Sequence, residues 1–377
     1  MRVAINAWFW DQPNTGSGQY LRNLLPALLD LAPDLQATLV APRPLAGVPE
    51  RVSVRVRAPR IGGHPGKAWF EQRVFPAACA DADLIHVPYW APPLGAPAPF
   101  VVTVHDVIPL ALKAYRGGPL ARAYTALVSA ATRGAAVVLT DSDAARADIL
   151  ARLGVPGARV RTVYLAAGPG FTAERDPARE QAVRAKYNLP ETYVLYLGGF
   201  DVRKNLEALL VAYSYVQKGV GDDAPLLLAG KELEGASARF PPLRRHIRAL
   251  GLDDCVRFIG WVDEADKPAL LRMARSFVFP SLYEGFGLPP LEAMACGTPV
   301  IAMDASAMPE VVGGAGFLIA PEDSRALAGA ILATITQDDL HEKLRAEGLA
   351  QAAGFSWTRT ARQTLDAYAD ALRGNPV

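Results

Sequence analysis

Tyr193-Val194-Leu195-Tyr196-Leu197-Gly198-Gly199-Phe200-Asp201-Val202-Arg203-Lys204-Asn205 is the stretch that decides the fold. Its first five residues are apolar without alternation. A strand reads that way when both of its faces are covered, as in a parallel sheet layered between helices. The glycine pair ends the strand, and apolar residues at helical spacing follow over 205–217. The same unit of strand, loop and helix recurs along the chain. Strands are expected at 2–7, 36–41, 83–87, 100–104 and 136–140, then at 193–198, 225–229, 255–259, 276–280, 299–302 and 316–319. Helices are expected at 18–31, 118–133, 142–153, 205–217, 241–250 and 323–336, with a last one at 358–373 whose apolar face is Ala361, Leu365, Tyr368 and Leu372. The fold class is therefore α/β, with two doubly wound Rossmann-like domains.

The 377 residues are enough for two domains. The two series part in a charged, Pro-containing stretch, Glu174-Arg175-Asp176-Pro177-Ala178-Arg179-Glu180, which lacks apolar periodicity and reads as a linker. The domains are placed at 1–185 and 186–357, with 358–377 as a C-terminal helix. Ligands of such sheets bind beyond the carboxyl ends of the strands, so two sheets facing each other are expected to enclose one central cleft.

Composition narrows the function. Lys plus Arg is 39 against 38 Asp plus Glu, a net charge of +1 that argues against a nucleic-acid partner. Of the 39 cations 31 are Arg, a usage that reads as genome composition more than as a binding adaptation. Cys79, Cys255 and Cys296 lie far apart and form neither a disulfide framework nor a zinc site, which fits a reducing cytosol. The start, Met1–Phe9, reads as a buried strand and not as a signal peptide, and no stretch is long and apolar enough to span a membrane. The expected location is cytoplasmic, with peripheral contact at the inner membrane face left open.

The segment richest in chemistry is Phe279-Pro280-Ser281-Leu282-Tyr283-Glu284-Gly285-Phe286-Gly287-Leu288-Pro289-Pro290-Leu291-Glu292-Ala293-Met294-Ala295-Cys296-Gly297. A strand ends, a loop follows, and Pro289 and Pro290 mark a helix start. Gly285 and Gly287 let a ligand approach the main chain, and the helix start favours a phosphate. Glu292, expected in the first helical turn, suits a pair of ribose hydroxyls or simply offsets the helix dipole. Glu284 suits a ligand or caps a turn.

Two glutamates separated by seven residues, within Glu284-Gly285-Phe286-Gly287-Leu288-Pro289 and Glu292-Ala293-Met294-Ala295-Cys296-Gly297-Thr298-Pro299-Val300, resemble the E-x7-E motif of retaining glycosyltransferases of family 4 (glycosyltransferase group 1), whose fold is GT-B. The resemblance is closest to bacterial mannosyltransferases of surface-polysaccharide assembly. It implies that Glu284 lies by the donor sugar and that Glu292 binds the nucleotide ribose, with Gly285, Phe286, Gly287 and Leu288 also on the donor. It places a Lys, here Lys204, against the donor diphosphate. Many members carry an Arg where this chain has Gly199, a donor-binding position, and Arg203 is the candidate replacement. Two adjacent cations suit a diphosphate, one by a fork and one as a point charge.

His105, in Val101-Val102-Thr103-Val104-His105-Asp106, follows directly on a strand, and the family has a His-Asp there that contacts the donor sugar. Gly16 and Gly18, between the first strand and the first helix, match neither a dinucleotide fingerprint nor a P-loop. In the family that loop faces the donor phosphate and the acceptor. Val262, in Gly260-Trp261-Val262, is implied beside the nucleotide base. Tyr89 and Trp90, after another strand, either stack on an acceptor sugar or close the core.

The resulting expectation is a retaining, metal-independent hexosyltransferase. His105, Arg203, Lys204 and Glu284 are its catalytic residues. Its donor is a nucleotide-sugar, GDP-mannose before UDP-glucose, and its acceptor a saccharide or lipid-linked saccharide. No cofactor is expected. The alternatives are a nucleotide-sugar epimerase of the same architecture and a non-catalytic sugar-binding protein. Two Asp-x-Asp pairs are assigned no metal. Asp81 and Asp83 precede a strand, at its amino end, and Asp141-Ser142-Asp143 leads into a helix where capping suffices.

Overall fold

The computed structural model describes residues 1–374 apart from 233, 234 and 236. The chain divides into two compact units: Met1–Leu165 together with Ser356 onward, and Ala166–Phe355. The division at Leu165 falls about twenty residues before the boundary placed at 185/186. The charged stretch taken for a linker holds a helix, Pro177–Lys186, capped by Asp176, which accepts from the Arg179 N–H at 3.0 Å. Ion pairs tie this helix to the second unit in place of an apolar stripe. Arg179 and Lys186 reach the buried Asp266 at 2.5 and 2.7 Å, and Arg272 reaches Glu180 at 3.2 Å.

The first unit carries a seven-stranded parallel sheet of β1 (Arg2–Asn6), β2 (Gln36–Ala41), β3 (Ser53–Val56), β4 (Leu84–Val87), β5 (Phe100–Thr103), β6 (Val137–Thr140) and β7 (Val160–Thr162), in the order β3-β2-β1-β4-β5-β6-β7. Neither outermost strand was expected. β3 is largely solvent-facing and β7 has three residues, so neither carries the apolar run that marks an interior strand. The strand order reverses between β1 and β4, and such a switch point opens a crevice at the carboxyl ends of the two strands.

The final helix, Trp357–Arg373, belongs to this unit. Thr360 Oγ1 donates to the Tyr164 carbonyl at 2.6 Å, and the Tyr368 hydroxyl is hydrogen-bonded to His86 Nδ1 at 2.7 Å. His86 continues to Thr103, and Thr103 to Tyr20. Burial pushes the His86 pKa down to about 3, so this ring is a neutral core link. The buried stripe is Thr360, Ala361, Thr364, Ala367, Tyr368 and Ala371. Leu372, expected inside, is exposed, because threonines that satisfy their hydroxyls on the helix main chain occupy the inner face.

The second unit carries a six-stranded parallel sheet of β8 (Val194–Leu197), β9 (Leu226–Ala229), β10 (Val256–Gly260), β11 (Ser276–Phe279), β12 (Val300–Met303) and β13 (Phe317–Ile319), in the order β10-β9-β8-β11-β12-β13. Its switch point lies between β8 and β11. Helices Leu206–Val220 and Ser324–Thr336 cover one face with a core that includes Leu209, Tyr213, Leu228, Ile301 and Ile331. A further helix, Asp338–Ala353, was not expected; few of its residues are buried, so its sequence has no strong apolar period. Among the described residues, no helix is long and apolar enough to cross a membrane.

Candidate active site

In the second unit the loops after β8 and β11, neighbours at the switch point, bring Arg203, Lys204 and Glu284 together. Val202–Lys204 forms a short 3-10 turn that leads into helix Leu206–Val220. The Leu282 N–H donates to the Arg203 carbonyl at 2.9 Å, which pins one loop to the other. Glu284 then accepts from both cations, Lys204 Nζ at 2.6 Å on Oε1 and Arg203 at 2.6 Å on Oε2. Ser281 Oγ also donates to Oε1, and Ser306 clasps the Glu284 main chain, accepting from its N–H and donating to its carbonyl at 2.6 Å. Lys204 stands over the Phe279 ring and is 8% exposed.

Burial opposes both charges of this pair. It lowers the Lys204 pKa, which Glu284 pulls back up. It raises that of Glu284, but Lys204 and Arg203 outweigh it and hold the carboxyl below its usual range. Glu284 is thus ionised and fully engaged by the chain itself.

Glu292 differs. It stands in helix Leu288–Ala295 as the fifth residue, one turn further in than expected, so the first turn contains no acid. It is 5% exposed, and its carboxyl meets no hydrogen-bond donor among the described residues. Burial pushes its pKa up to about 7, with Lys267 lowering it and Glu264 raising it. Lys267 opens the helix Lys267–Arg272, and Glu264 lies in the turn just before it. Val262 itself is buried and Trp261 exposed.

The helix start offers fewer donors than expected, because Pro289 and Pro290 have no N–H. The main chain of Gly287 is tightly placed. Its φ is 123°, and a Cβ there would stand 2.4 Å from Met308 Cε. Phe286 is buried against Phe355. At Gly199 a Cβ would lie 3.2 Å from Asp201, and the Gly199 carbonyl accepts from the Tyr196 hydroxyl at 2.5 Å.

In the first unit His105 follows β5 and is held by Asp141, Nδ1 to Oδ2 at 2.7 Å, with the Tyr20 ring edge-on at 5.1 Å. Burial lowers the His105 pKa, but Asp141, Asp106 and the Pro88 carbonyl raise it further, so the net shift is upward. Its Nε2 is buried and makes no well-aligned hydrogen bond, with the Pro88 carbonyl its loose neighbour. Asp141 was read only as part of a helix cap. Ser142 does cap its helix, accepting from the Ala145 N–H at 3.0 Å, while Asp141 turns to the histidine. The signal lay in the register. Thr103 pairs with Leu139, which sets the residues two further along, His105 and Asp141, side by side.

Asp106 accepts the Ile108 N–H at 3.0 Å, and its charge adds to that of Asp141 on the histidine. Asp81 and Asp83 are engaged by Arg55 and Arg2 at 2.8 and 2.6 Å. Gly16 starts the first long helix, capped by Thr15, and has open space where a Cβ would stand; at Gly18 a Cβ would lie 2.1 Å from the Gln12 carbonyl oxygen. Tyr89 is buried and Trp90 partly buried. The Tyr89 ring is in the core, and the Trp90 N–H is tied to Thr132 Oγ1 at 3.1 Å.

Residues 179–351 match the family model described as "Glycosyl transferases group 1", and residues 14–166 the one described as "Glycosyltransferase Family 4". O-antigen chain mannosyltransferase B of Escherichia coli is 36% identical over 269 residues, 71% of this chain and 69% of that protein. The MMP alpha-(1->4)-mannosyltransferase of Mycolicibacterium hassiacum is 30% identical over 336 residues, 87% of this chain and 77% of that protein. The serotype-specific mannosyltransferase WbdA of Escherichia coli is 32% identical over 278 residues, and the match covers 34% of its length. Among solved structures, sucrose-phosphate synthase from Thermosynechococcus elongatus superposes with a TM-score of 0.75 at 22% identity, over 100% of both chains. HepE from Anabaena, in complex with UDP and glucose, superposes with a TM-score of 0.76 at 21% identity, over 98% of this chain and 99% of that one.

Proposed function

The chain belongs to the family 4 (group 1) glycosyltransferases and has their GT-B fold, and from that premise we propose that it transfers a mannosyl residue, with retention of configuration, from GDP-mannose to a hydroxyl of a growing polysaccharide or lipid-linked saccharide. The mannosyl part rests on relatives named as mannosyltransferases. UDP-glucose is the rival donor.

The observation that carries the donor site is the contrast between its two glutamates. Glu284 has its donors within the chain, whereas burial pushes the Glu292 pKa up to about 7 with no hydrogen bond to oppose it. A ligand that brings donors to such a carboxyl stabilises its charged form. The two hydroxyls of a ribose do this. Val262 and its loop take the base. The loop Gly285–Leu288 and Gly199 allow the diphosphate to come close to main chain.

Arg203 and Lys204 take the charge that develops on the leaving diphosphate. Without ligand they are held by Glu284, so the diphosphate competes with that carboxylate for the cations. Glu284 orients the sugar. His105, in the tautomer and orientation that Asp141 imposes, is assigned to the donor sugar, and the Gly16–Gly18 turn to the donor phosphate, on the family resemblance alone. With two cations on the diphosphate, no divalent metal is required.

Two results are expected. Glu284→Gln weakens the hold on Arg203 and Lys204, so GDP affinity is unchanged or rises while mannosyl transfer falls at least 100-fold. Calorimetry and an initial-rate assay check the pair, and a parallel loss of both quantities would remove Glu284 from its sugar-orienting role. A screen of nucleotide-sugars for turnover in EDTA tests the reading as a whole. GDP-mannose is expected to be used at an undiminished rate. Activity that vanishes with EDTA and returns with magnesium or manganese would contradict the metal-free diphosphate site.

A further inference from the structure

The switch point of the first unit holds a polar cluster that the donor chemistry does not use. Helix Gly63–Trp69 runs into one π-helical turn, Phe70–Val74, before Phe75–Ala78 resumes the α form. Such turns are rare and recur at functional sites. This one carries Glu71, which is 0% exposed. Its carboxylate accepts from the Tyr124 hydroxyl at 2.6 Å and from the Lys67 ammonium. Lys67 Nζ lies 5.9, 5.5, 4.9 and 5.6 Å from the ring centres of Trp8, Phe9, Tyr89 and Tyr124. The lysine side chain keeps 22% of its surface exposed, and Trp8 and Phe9 are only partly buried, so the cluster reaches solvent.

Two buried donors beside it make no well-aligned hydrogen bond among the described residues: Asn6 Nδ2 and the Tyr89 hydroxyl. Asn6 ends β1, and its Oδ1 accepts the Trp8 N–H at 3.1 Å, which leaves the amide's NH2 as the unused end. Tyr89 follows β4. Burial raises the proton affinity of its hydroxyl, the charge of Glu71, Tyr124 and a loose hydrogen-bond contact with Glu71 raise it further, and a loose hydrogen-bond contact with Asn6 lowers it, so all these groups stand close together. β1 and β4 are the two strands of the switch point, where ligands of doubly wound sheets bind.

The chemistry of the cluster selects its occupant. Lys67 and Glu71 together are neutral and offer both donors and an acceptor, as a hydroxyl requires. Aromatic rings beside them suit the C–H face of a sugar. An anion would meet Glu71, and a cation would have to displace Lys67. We propose that Asn6, Tyr89 and the Lys67–Glu71 pair form the subsite for one uncharged hexose ring of the acceptor. Asn6 Nδ2 and the Tyr89 hydroxyl donate to its oxygens, and Trp8 and Phe9 flank its apolar face. This deepens the proposed saccharide acceptor and rests on that reading.

The test is direct binding of methyl α-mannobioside to the full chain, with and without GDP, by saturation-transfer NMR. It requires no turnover. Wild type is expected to bind, and Tyr89→Phe to bind at least fivefold more weakly with GDP affinity within twofold. The melting temperature should change little, because Tyr89→Phe removes a buried hydroxyl that makes no well-aligned hydrogen bond. A hydroxyl with a merely structural role would leave mannobioside binding unmoved, and that result overturns the assignment. Asn6→Ser is the second variant, with the same expected weakening and the same overturning result. A wild-type chain that binds GDP but no mannobioside also overturns the saccharide subsite while leaving the donor reading intact. Absent GDP binding with intact mannobioside binding does the reverse.

Discussion

Lys204→Ala is expected to lower kcat by roughly 100- to 1000-fold, the scale seen when one preorganised group facing a developing charge is removed. The substitution has a second consequence, set by the same geometry. Lys204 also shields the buried Glu284, which would keep only Arg203 and Ser281 as partners. Stripping a buried pair of one member altogether costs about 3–5 kcal/mol, and the remaining Arg203 should hold the loss below that range. Lys204→Arg separates the two effects. It keeps a cation beside Glu284 and Arg203 but replaces the compact ammonium, so its melting temperature should stay nearer wild type than that of Lys204→Ala while kcat stays low. If Lys204→Ala kept the wild-type kcat, Lys204 would be a structural residue and the diphosphate would need another cation.

Glu292→Gln is the second large effect, and its sign depends on pH. The carboxyl's pKa rises from 4.5 in the unfolded chain to about 7 in the folded one. The folded state therefore holds the proton more tightly. Its contribution to stability is fully present below pH 4.5 and is lost as pH rises through about 7. At pH 8 the ionised carboxylate is buried at a cost of about 3 kcal/mol, which the glutamine does not bear. The melting temperature of the wild type, relative to Glu292→Gln, should thus fall between pH 5 and pH 8. A nucleotide diphosphate reverses the balance, because ribose hydroxyls donate to the carboxylate and stabilise its charged form. Binding near pH 6.5 should release a proton, visible as a heat that depends on the buffer's ionisation enthalpy. In Glu292→Gln the proton release should vanish and affinity should fall about 10- to 100-fold, the worth of charge-assisted hydrogen bonds. Nucleotide binding that releases no proton in the wild type would take the ribose away from Glu292.

Much of this was legible in the chain because it is local. The run Tyr193–Leu197 declares a strand covered on both faces, and the stretch from Phe279 to Glu292 declares strand, loop and helix in order. What stayed hidden depends on partners distant in sequence. Nothing near Glu284 reveals that Lys204, eighty residues earlier, already occupies its carboxylate. Nothing near Asp141 shows that it serves His105 until β5 and β6 are known to be neighbours. The helix Pro177–Lys186 escaped because its attachment is electrostatic, so apolar periodicity carries no trace of it. Tyr89 was placed correctly after a strand, but whether its ring or its hydroxyl is available depends on how the core closes around Phe9 and Lys67. Glu292 shows the reverse limit. Its assignment to a ribose was an expectation of motif and resemblance, while its raised proton affinity emerges only from the packing around it.

The central claim is transfer from GDP-mannose with retention, and the anomeric configuration of the product tests it most directly. The enzyme would be incubated with EDTA, GDP-mannose and a mannoside acceptor, and the new glycosidic linkage read by proton-coupled carbon NMR. GDP-mannose carries its sugar in the α configuration, so the account predicts a single new α-mannosyl linkage. A β linkage, or a product sugar other than mannose, would contradict it.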